Sequence, residues 1–231
     1  MRRFYKEVEV RAADRGFALL LDGRPVRTPA RQALEVAGRA LAEAIADEWR
    51  GQGETIDPRS MPLTGLANAA IDRVASDAAA FARGLARFGE TDLLCYRAEG
   101  PERLVSRQSE LWDPILVWAR RRYDIELKVN VGIMHRPQPE VSVQRLGRAV
   151  GARGPFELAG LAPLVTISGS LLIPLALVER AIDLDRAWAA ASLDDQWQIE
   201  QWGDDAEAVL ALANRRADFE AGARFLTLLA A

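Results

Sequence analysis

Between positions 194 and 207 the chain carries six carboxylates, Asp194, Asp195, Glu200, Asp204, Asp205 and Glu207, together with Trp197 and Trp202, and no lysine or arginine. Carboxylates this closely spaced can hold a divalent cation, divide acid and base roles when burial separates their pKa values, or meet a basic surface on another protein. A calcium loop would set oxygen ligands at alternate positions around a central glycine, and that pattern is absent here. Part of the segment has a helix-boundary reading: Gly203 can stop one helix, Asp204 can cap the next, and Glu207 three residues on completes a capping box. Asp205 then favours the helix N-terminus electrostatically. Asp194, Asp195 and Glu200 lie one or two turns upstream and are not covered by that account. A large aromatic beside carboxylates on an exposed face suits a partner with basic and apolar surface. Trp197 and Glu200 are expected on that face, with Leu184, Trp188, Ala191 and Ile199 on the buried stripe.

Other reactive groups are sparse. His135 is the single histidine and Cys95 the single cysteine, so a nucleophile triad needs the two to meet in space, and no thiol or imidazole cluster can complete a zinc site. Cys95 lies in the apolar run Leu93-Leu94-Cys95-Tyr96 and reads as a small buried hydrophobe; His135, near Pro137 and Pro139, reads as a loop residue. No phosphate-cradling glycine loop follows a strand. No cofactor or metal is expected. A formal net charge of -3 over 231 residues provides no basic footprint for nucleic acid. One cysteine fits a reducing compartment, and the start of the chain lacks the features of an export signal. Residues 161–178 are the most apolar stretch, but Pro163, Gly169 and Pro174 interrupt them. They read as buried helix, without membrane insertion.

The elements that must position these residues change period along the chain. From Phe4 to Arg11 apolar and polar residues alternate, which predicts a strand with Phe4, Lys6, Val8 and Val10 on one face and Tyr5, Glu7, Glu9 and Arg11 on the other. Asp22-Gly23 predicts a two-residue hairpin turn after the apolar run 17–21, and Pro25 places the return strand at an edge. Leu41, Ile45, Glu48 and Trp49 then recur at helical spacing, and Trp49 is expected to anchor that helix on the sheet. Beyond Met61-Pro62 the chain reads mostly helical, with a long amphipathic segment at 101–123 and further helices from about 140, 156 and 170. Pro114 is expected to bend or end the long one. Only residues 127–131 read as a strand in this part. The change of period places a boundary near Ser76, dividing residues 1–76 from 77–231.

Several stretches read together resemble the assembly chaperone family of the F1 ATP synthase alpha subunit, found in mitochondria and alphaproteobacteria. They are Arg3-Phe4-Tyr5-Lys6, Leu21-Asp22-Gly23-Arg24-Pro25-Val26 with Thr28-Pro29, and Glu48-Trp49 with Gln52. Ile56-Asp57-Pro58, Met61-Pro62-Leu63-Thr64, Asp92-Leu93-Leu94-Cys95-Tyr96-Arg97, Trp112-Asp113-Pro114 and Trp202-Gly203 follow in order. The resemblance implies an α+β protein with a small N-terminal β-sheet/α domain and a larger all-α orthogonal helical bundle behind it. It implies a chaperone, not an enzyme, that binds the free alpha subunit and prevents its aggregation until it pairs with beta. Residues Asp194, Asp195, Trp197, Glu200 and Trp202, with Asp205, are then the expected partner contacts. A monomer in the bacterial cytoplasm, corresponding to the mitochondrial matrix of eukaryotic relatives, is expected. Two other readings stand beside it. An enzyme using the carboxylate cluster as a metal or acid/base site requires a concave pocket lined by those acids, and a permanent structural subunit requires stoichiometric residence in the mature complex.

Overall fold

In the computed structural model of the chain, residues 1–203 and 205–231 are described, so the expected cap at Asp204 lies outside the described residues. The strands are β1 (Val8–Ala13), β2 (Gly16–Leu21), β3 (Arg24–Pro25), β4 (Glu35–Val36), β5 (Tyr96–Arg97) and β6 (Asn130–Val131). The first five helices are α1 (Arg39–Arg50), α2 (Pro62–Ala69), α3 (Ala78–Ala86), α4 (Glu102–Tyr123) and α5 (Glu140–Gly151). They are followed by α6 (Pro155–Ser168), α7 (Leu172–Val178), α8 (Leu184–Ala191), α9 (Leu193–Trp202) and α10 (Ala206–Leu229). The class is α+β. The chain forms two compact units: residues 1–78 with 154–160 and 224–231, and residues 79–153 with 161–223. A division at Ser76 treats the chain as two consecutive stretches, whereas the first unit also takes in the start of α6 and the end of α10.

In the first unit β1 and β2 pair antiparallel from Val8 opposite Leu21 to Ala13 opposite Gly16. Asp22 and Gly23 both have positive φ, 48° and 77°, the conformation that a tight turn between twisted strands requires. Leu21 therefore faces Arg24, and β3, carrying Pro25, lies at the edge. The expected strand start at Phe4 is corrected to Val8. The Asp22 carboxylate accepts from the Lys6 and Glu7 amides at 3.0 and 2.8 Å, so these donors are used outside the ladder. Tyr5 is buried and Phe4 exposed, because the Tyr5 hydroxyl donates to the Trp49 carbonyl at 2.6 Å and its ring packs on Trp49. Leu41, Ala42 and Ile45 of α1 cover the sheet with Leu19, Leu21 and Val36 beneath them. Gly160 is needed where α6 meets the end of α10: a Cβ there would fall 2.7 Å from Leu226 Cγ.

The motif residues after α1 form one network. Glu48 accepts from the Leu63 and Thr64 amides at 2.7 and 2.8 Å and from the Thr64 hydroxyl at 2.7 Å, which supplies partners for orphan donors at the start of α2. Gln52 donates to the Glu48 carbonyl and to Ser60 Oγ, and accepts from the Asp57 amide at 2.8 Å. Spacing that reads as a plain amphipathic helix thus also ties the 56–64 connection to α1.

In the second unit α4 buries Leu104, Gln108, Trp112, Ile115 and Ala119 on one stripe, and Trp112 Nε1 donates to the Ala190 carbonyl at 3.0 Å. Pro114 does not end this helix, which continues to Tyr123 and stops at Asp124 in the left-handed region. Asp92 is fully buried and accepts from Ser170 Oγ, from the Leu171 and Leu172 amides opening α7, and from Leu94. Burial pushes its carboxyl up, opposed by those hydrogen bonds. The helical unit also contains a two-stranded parallel sheet, β5 with β6. Strands of two residues leave no period to read, so only β6 was anticipated. Cys95 is buried with its thiol pushed up to about 12, chiefly by burial, which keeps it from acting as a thiolate at neutral pH. His135 is exposed, with Nδ1 3.1 Å from the Tyr96 hydroxyl. Among the described residues no helix is long and apolar enough to cross a membrane.

Glu48→Gln keeps one acceptor oxygen but cannot serve both amides and the Thr64 hydroxyl. It is expected to lower stability by about 1–3 kcal/mol, the cost of leaving a half-buried donor unmade, read as a lower urea midpoint with unchanged slope.

Candidate functional site

The expected single helix from 184 breaks at Ser192, whose hydroxyl donates to the Trp188 carbonyl at 2.7 Å, giving α8 and α9. The break re-aims every side chain downstream. Trp197, expected on the outer face, is only 7% exposed, while Ile199 is partly exposed. The aromatic on the surface is Trp202, 81% exposed at the last turn of α9. Gly203, with φ 88°, ends the helix, and its amide takes the Ile199 carbonyl.

The acids are held by neighbours that the acidic stretch itself does not contain. Gln108 Nε2 donates to Asp194 at 2.9 Å. Arg107, one position earlier on α4, donates to both oxygens of Glu200 at 2.9 and 2.7 Å, and its guanidinium lies 5.2 Å from the Trp197 ring centroid. Arg215 of α10 pairs with Asp195 at 2.9 Å and donates to the Ile167 carbonyl. Glu200 and Asp195 are therefore not the unpaired carboxylates that the local sequence suggests. Asp205 is exposed; its carboxylate accepts from the Glu207 amide at 3.0 Å and its carbonyl from Val209, which places it as the N-cap of α10. Of the six candidates, Asp194, Trp197 and Trp202 line one groove.

That groove has a volume of about 810 Å³. It is lined by Gln198, Gln201 and Trp202 of α9, by Leu104 and Gln108 of α4, and by Glu99, Gly132 and Ile133. Arg97 also borders it; its charge is taken by Asp113, 2.6 Å away, and its guanidinium lies over Trp112. Asp194 is the one acid of the α9 segment in the groove without a cationic partner. Its carboxyl is pushed up, first by burial and further by Asp195, with the Gln108 hydrogen bond pulling the other way. Gln108 had a legible signal: it is a polar residue inside the apolar stripe Leu104–Trp112–Ile115. Arg107 and Arg215 had none, because arginine on an exposed helix position is ordinary. Among the described residues no three His, Cys, Asp or Glu side chains come together as a metal site.

The groove has no reacting constellation; it is a mixed apolar and acidic surface with a projecting tryptophan. Comparison with known proteins gives this arrangement a context. The family model described as ATP12 chaperone protein matches residues 2–120. The chain is 24% identical to the mitochondrial protein atp12 of Schizosaccharomyces pombe, covering 87% of this chain and 74% of that one. It is likewise 24% identical to the mitochondrial protein ATP12 of Saccharomyces cerevisiae, over 88% of this chain and 76% of that one. Among solved structures, Atp12 from Paracoccus denitrificans superposes with a TM-score of 0.93 at 42% identity, covering 99% of this chain and 98% of that one. A protein from Agrobacterium tumefaciens, proposed there as a chaperone, superposes with a TM-score of 0.94 at 42% identity over 99% of this chain and 86% of that one. The enzyme alternative is overturned by this family of chaperones.

Because burial raises the Asp194 carboxyl in the folded chain, the folded state holds more protons than the unfolded one from the unfolded value of about 3.9 upward. Stability from this group therefore falls as pH rises through that window. Asp194→Asn keeps an acceptor for Gln108 and removes the effect. The variant is expected to match the parent in urea at pH 3 and to unfold at a higher urea concentration at pH 7. By its sequence match over residues 2–120 and its fold, the chain belongs to the ATP12 chaperone protein family.

Proposed function

We propose that the chain is an assembly chaperone for the F1 sector of ATP synthase, holding the unassembled alpha subunit and preventing its aggregation until it pairs with beta. The observation that carries the reading is Trp202, 81% exposed and lining the same groove as the half-buried, cation-free carboxylate of Asp194. An exposed tryptophan beside a desolvated carboxylate is unfavourable for a free monomer and favourable once a partner supplies an apolar pocket and a cation. Family membership supports a chaperone role, and the ordered motif resemblance supplies the alpha subunit as client. Trp197 contributes from beneath, buried against Arg107, so its role is to set the height of α9 rather than to touch the client. Asp195 and Glu200 lie on the same helix, each in an ion pair that is partly exposed and so open to exchange with a client arginine or lysine. The mitochondrial relatives fit action in the bacterial cytoplasm, as a monomer that releases its client when the beta subunit competes for the covered surface.

The test uses purified full-length protein and isolated alpha subunit, with light scattering reporting aggregation on dilution from denaturant. Parent protein is expected to suppress scattering at a stoichiometric ratio. Trp202→Ala, which removes a side chain with little burial, is expected to keep its melting temperature and weaken alpha capture by at least about tenfold. Capture by the parent is also expected to weaken as salt rises from 50 to 500 mM, because exposed charge pairs are screened. An undiminished affinity in Trp202→Ala removes this groove as the client site, and failure of the parent to suppress aggregation removes the client assignment.

A further inference from the structure

A second apolar surface reaches the groove through Gly132 and Ile133, which line it. From Ile125 to Ile133 every odd position is apolar: Ile125, Leu127, Val129, Val131 and Ile133. Period two places Ile125 to Val131 on one face of an extended chain; Gly132, with φ 81°, then bends the chain, so Ile133 lies past the end of that face. The face begins under α4, where Ile125 is buried and Leu127 and Val129 line a trough of about 290 Å³ with Leu116 and Val117. It reaches solvent at Val131, 69% exposed, and past the Gly132 bend Ile133 and Met134 are 93% and 77% exposed. Exposure rises along these apolar residues, so each side chain forgoes the burial that the one upstream has, at a cost in the free chain.

The backbone is unpartnered as well. Among the described residues β6 pairs only with β5, leaving its other edge without a strand. After the Gly132 amide, which donates to the Arg97 carbonyl at 2.8 Å, the peptide groups of Ile133 and Met134 make no backbone hydrogen bond among the described residues. Natural edges are commonly protected by charge, proline or a covering element, and an apolar unprotected edge is a template for another chain. The sign of charge where the edge ends is defined. Gly132 adopts φ 81°, and a Cβ there would fall 2.9 Å from a Glu99 carboxylate oxygen, so Glu99 lies directly against the strand end. Glu99 and Asp194 are both groove acids without a cationic partner, whereas the Arg97 charge is matched by Asp113.

We propose that an extended segment of the client adds to the free edge of β6 as a third strand, setting apolar side chains on Val131 and, past the bend at Gly132, on Ile133. A lysine or arginine of that segment reaches the acids Glu99 and Asp194. Strand addition lets main-chain hydrogen bonds carry affinity with little dependence on client sequence, while the flanking charge selects a basic segment. A chaperone that must hold a subunit lacking its neighbours meets such unpaired apolar strands. This inference rests on the proposed chaperone role and extends the client contact from the groove, which Ile133 and Trp202 line, to the adjoining β6 edge.

The test compares the parent with Val131→Thr/Ile133→Thr, which removes apolar surface at two exposed positions and is expected to leave the melting temperature unchanged. Affinity for isolated alpha subunit is measured by biolayer interferometry, and amide protection at 129–134 by hydrogen–deuterium exchange with and without client. A loss of at least tenfold in affinity, with protection of these amides in the parent complex, is expected. Glu99→Lys, on the exposed rim, is expected to weaken capture by a further separable factor. If the parent binds alpha subunit and the double variant binds equally, the strand proposal is overturned while the chaperone reading stands. If affinity falls without amide protection, side-chain contact without strand addition is the correct description and the proposal fails. A parent that sediments as a dimer, with a monomeric double variant of unchanged client affinity, assigns the edge to a second copy of this chain and also overturns it. No binding by the parent overturns the chaperone reading itself.

Discussion

Arg107 and Gln108 are neighbours on α4, and between them they hold two consecutive turns of α9: Gln108 takes Asp194 near its start and Arg107 takes Glu200 near its end. Two attachments along one short helix fix its rotation as well as its position. With that rotation set, Trp197 turns inward beneath the Arg107 guanidinium, and Trp202, five residues on, turns outward. A helix of ten residues is marginal by itself, so its orientation must come from such tertiary contacts rather than from propensity. The surface the groove presents depends on this clamp more than on the acids' charge.

The clamp also sorts the acidic segment into different physical roles. Asp195 and Glu200 neutralise arginines, Asp205 caps α10, and Asp194 is left half-buried with a neutral donor. A hydrogen bond from glutamine offsets only part of the desolvation that burial imposes on a carboxylate. Sites of this kind cost stability in the free protein, a compromise commonly tolerated where binding recovers it. The same logic applies to the β6 edge, where exposed valine and isoleucine gain nothing until something covers them.

In the first unit polar side chains tie neighbouring elements together. Glu48 and Trp49 in the last turn of α1 and Gln52 just beyond its end secure three different things: the start of α2, the Tyr5 hydroxyl through the Trp49 carbonyl, and the 56–64 connection. In the second unit Asp92 does comparable work for α7 from a fully buried position. Buried carboxylates that accept several backbone amides act as helix caps supplied from elsewhere in the chain. A motif made of such residues looks functional in sequence and is structural in space.

What the sequence determined by itself was the set of features governed by neighbours within a few positions. The Asp22-Gly23 hairpin, the amphipathic α1 and α4, the edge position of Pro25 and the inert buried Cys95 all follow from local period and turn chemistry, and the ordered motifs pointed to the family. The break at Ser192 was not legible, because it exchanges one helical stripe for another without a glycine or proline to mark it. Consequently Trp197 was expected on the outer face although it is buried. The pairing of Asp194, Asp195 and Glu200 was equally hidden, since their partners lie 86, 20 and 93 positions away. Strands of two residues, such as β5, hold no period at all. Local physics decides which residues can form an element; only tertiary packing decides which carboxylate meets an arginine, which tryptophan faces water, and which strand edge remains open.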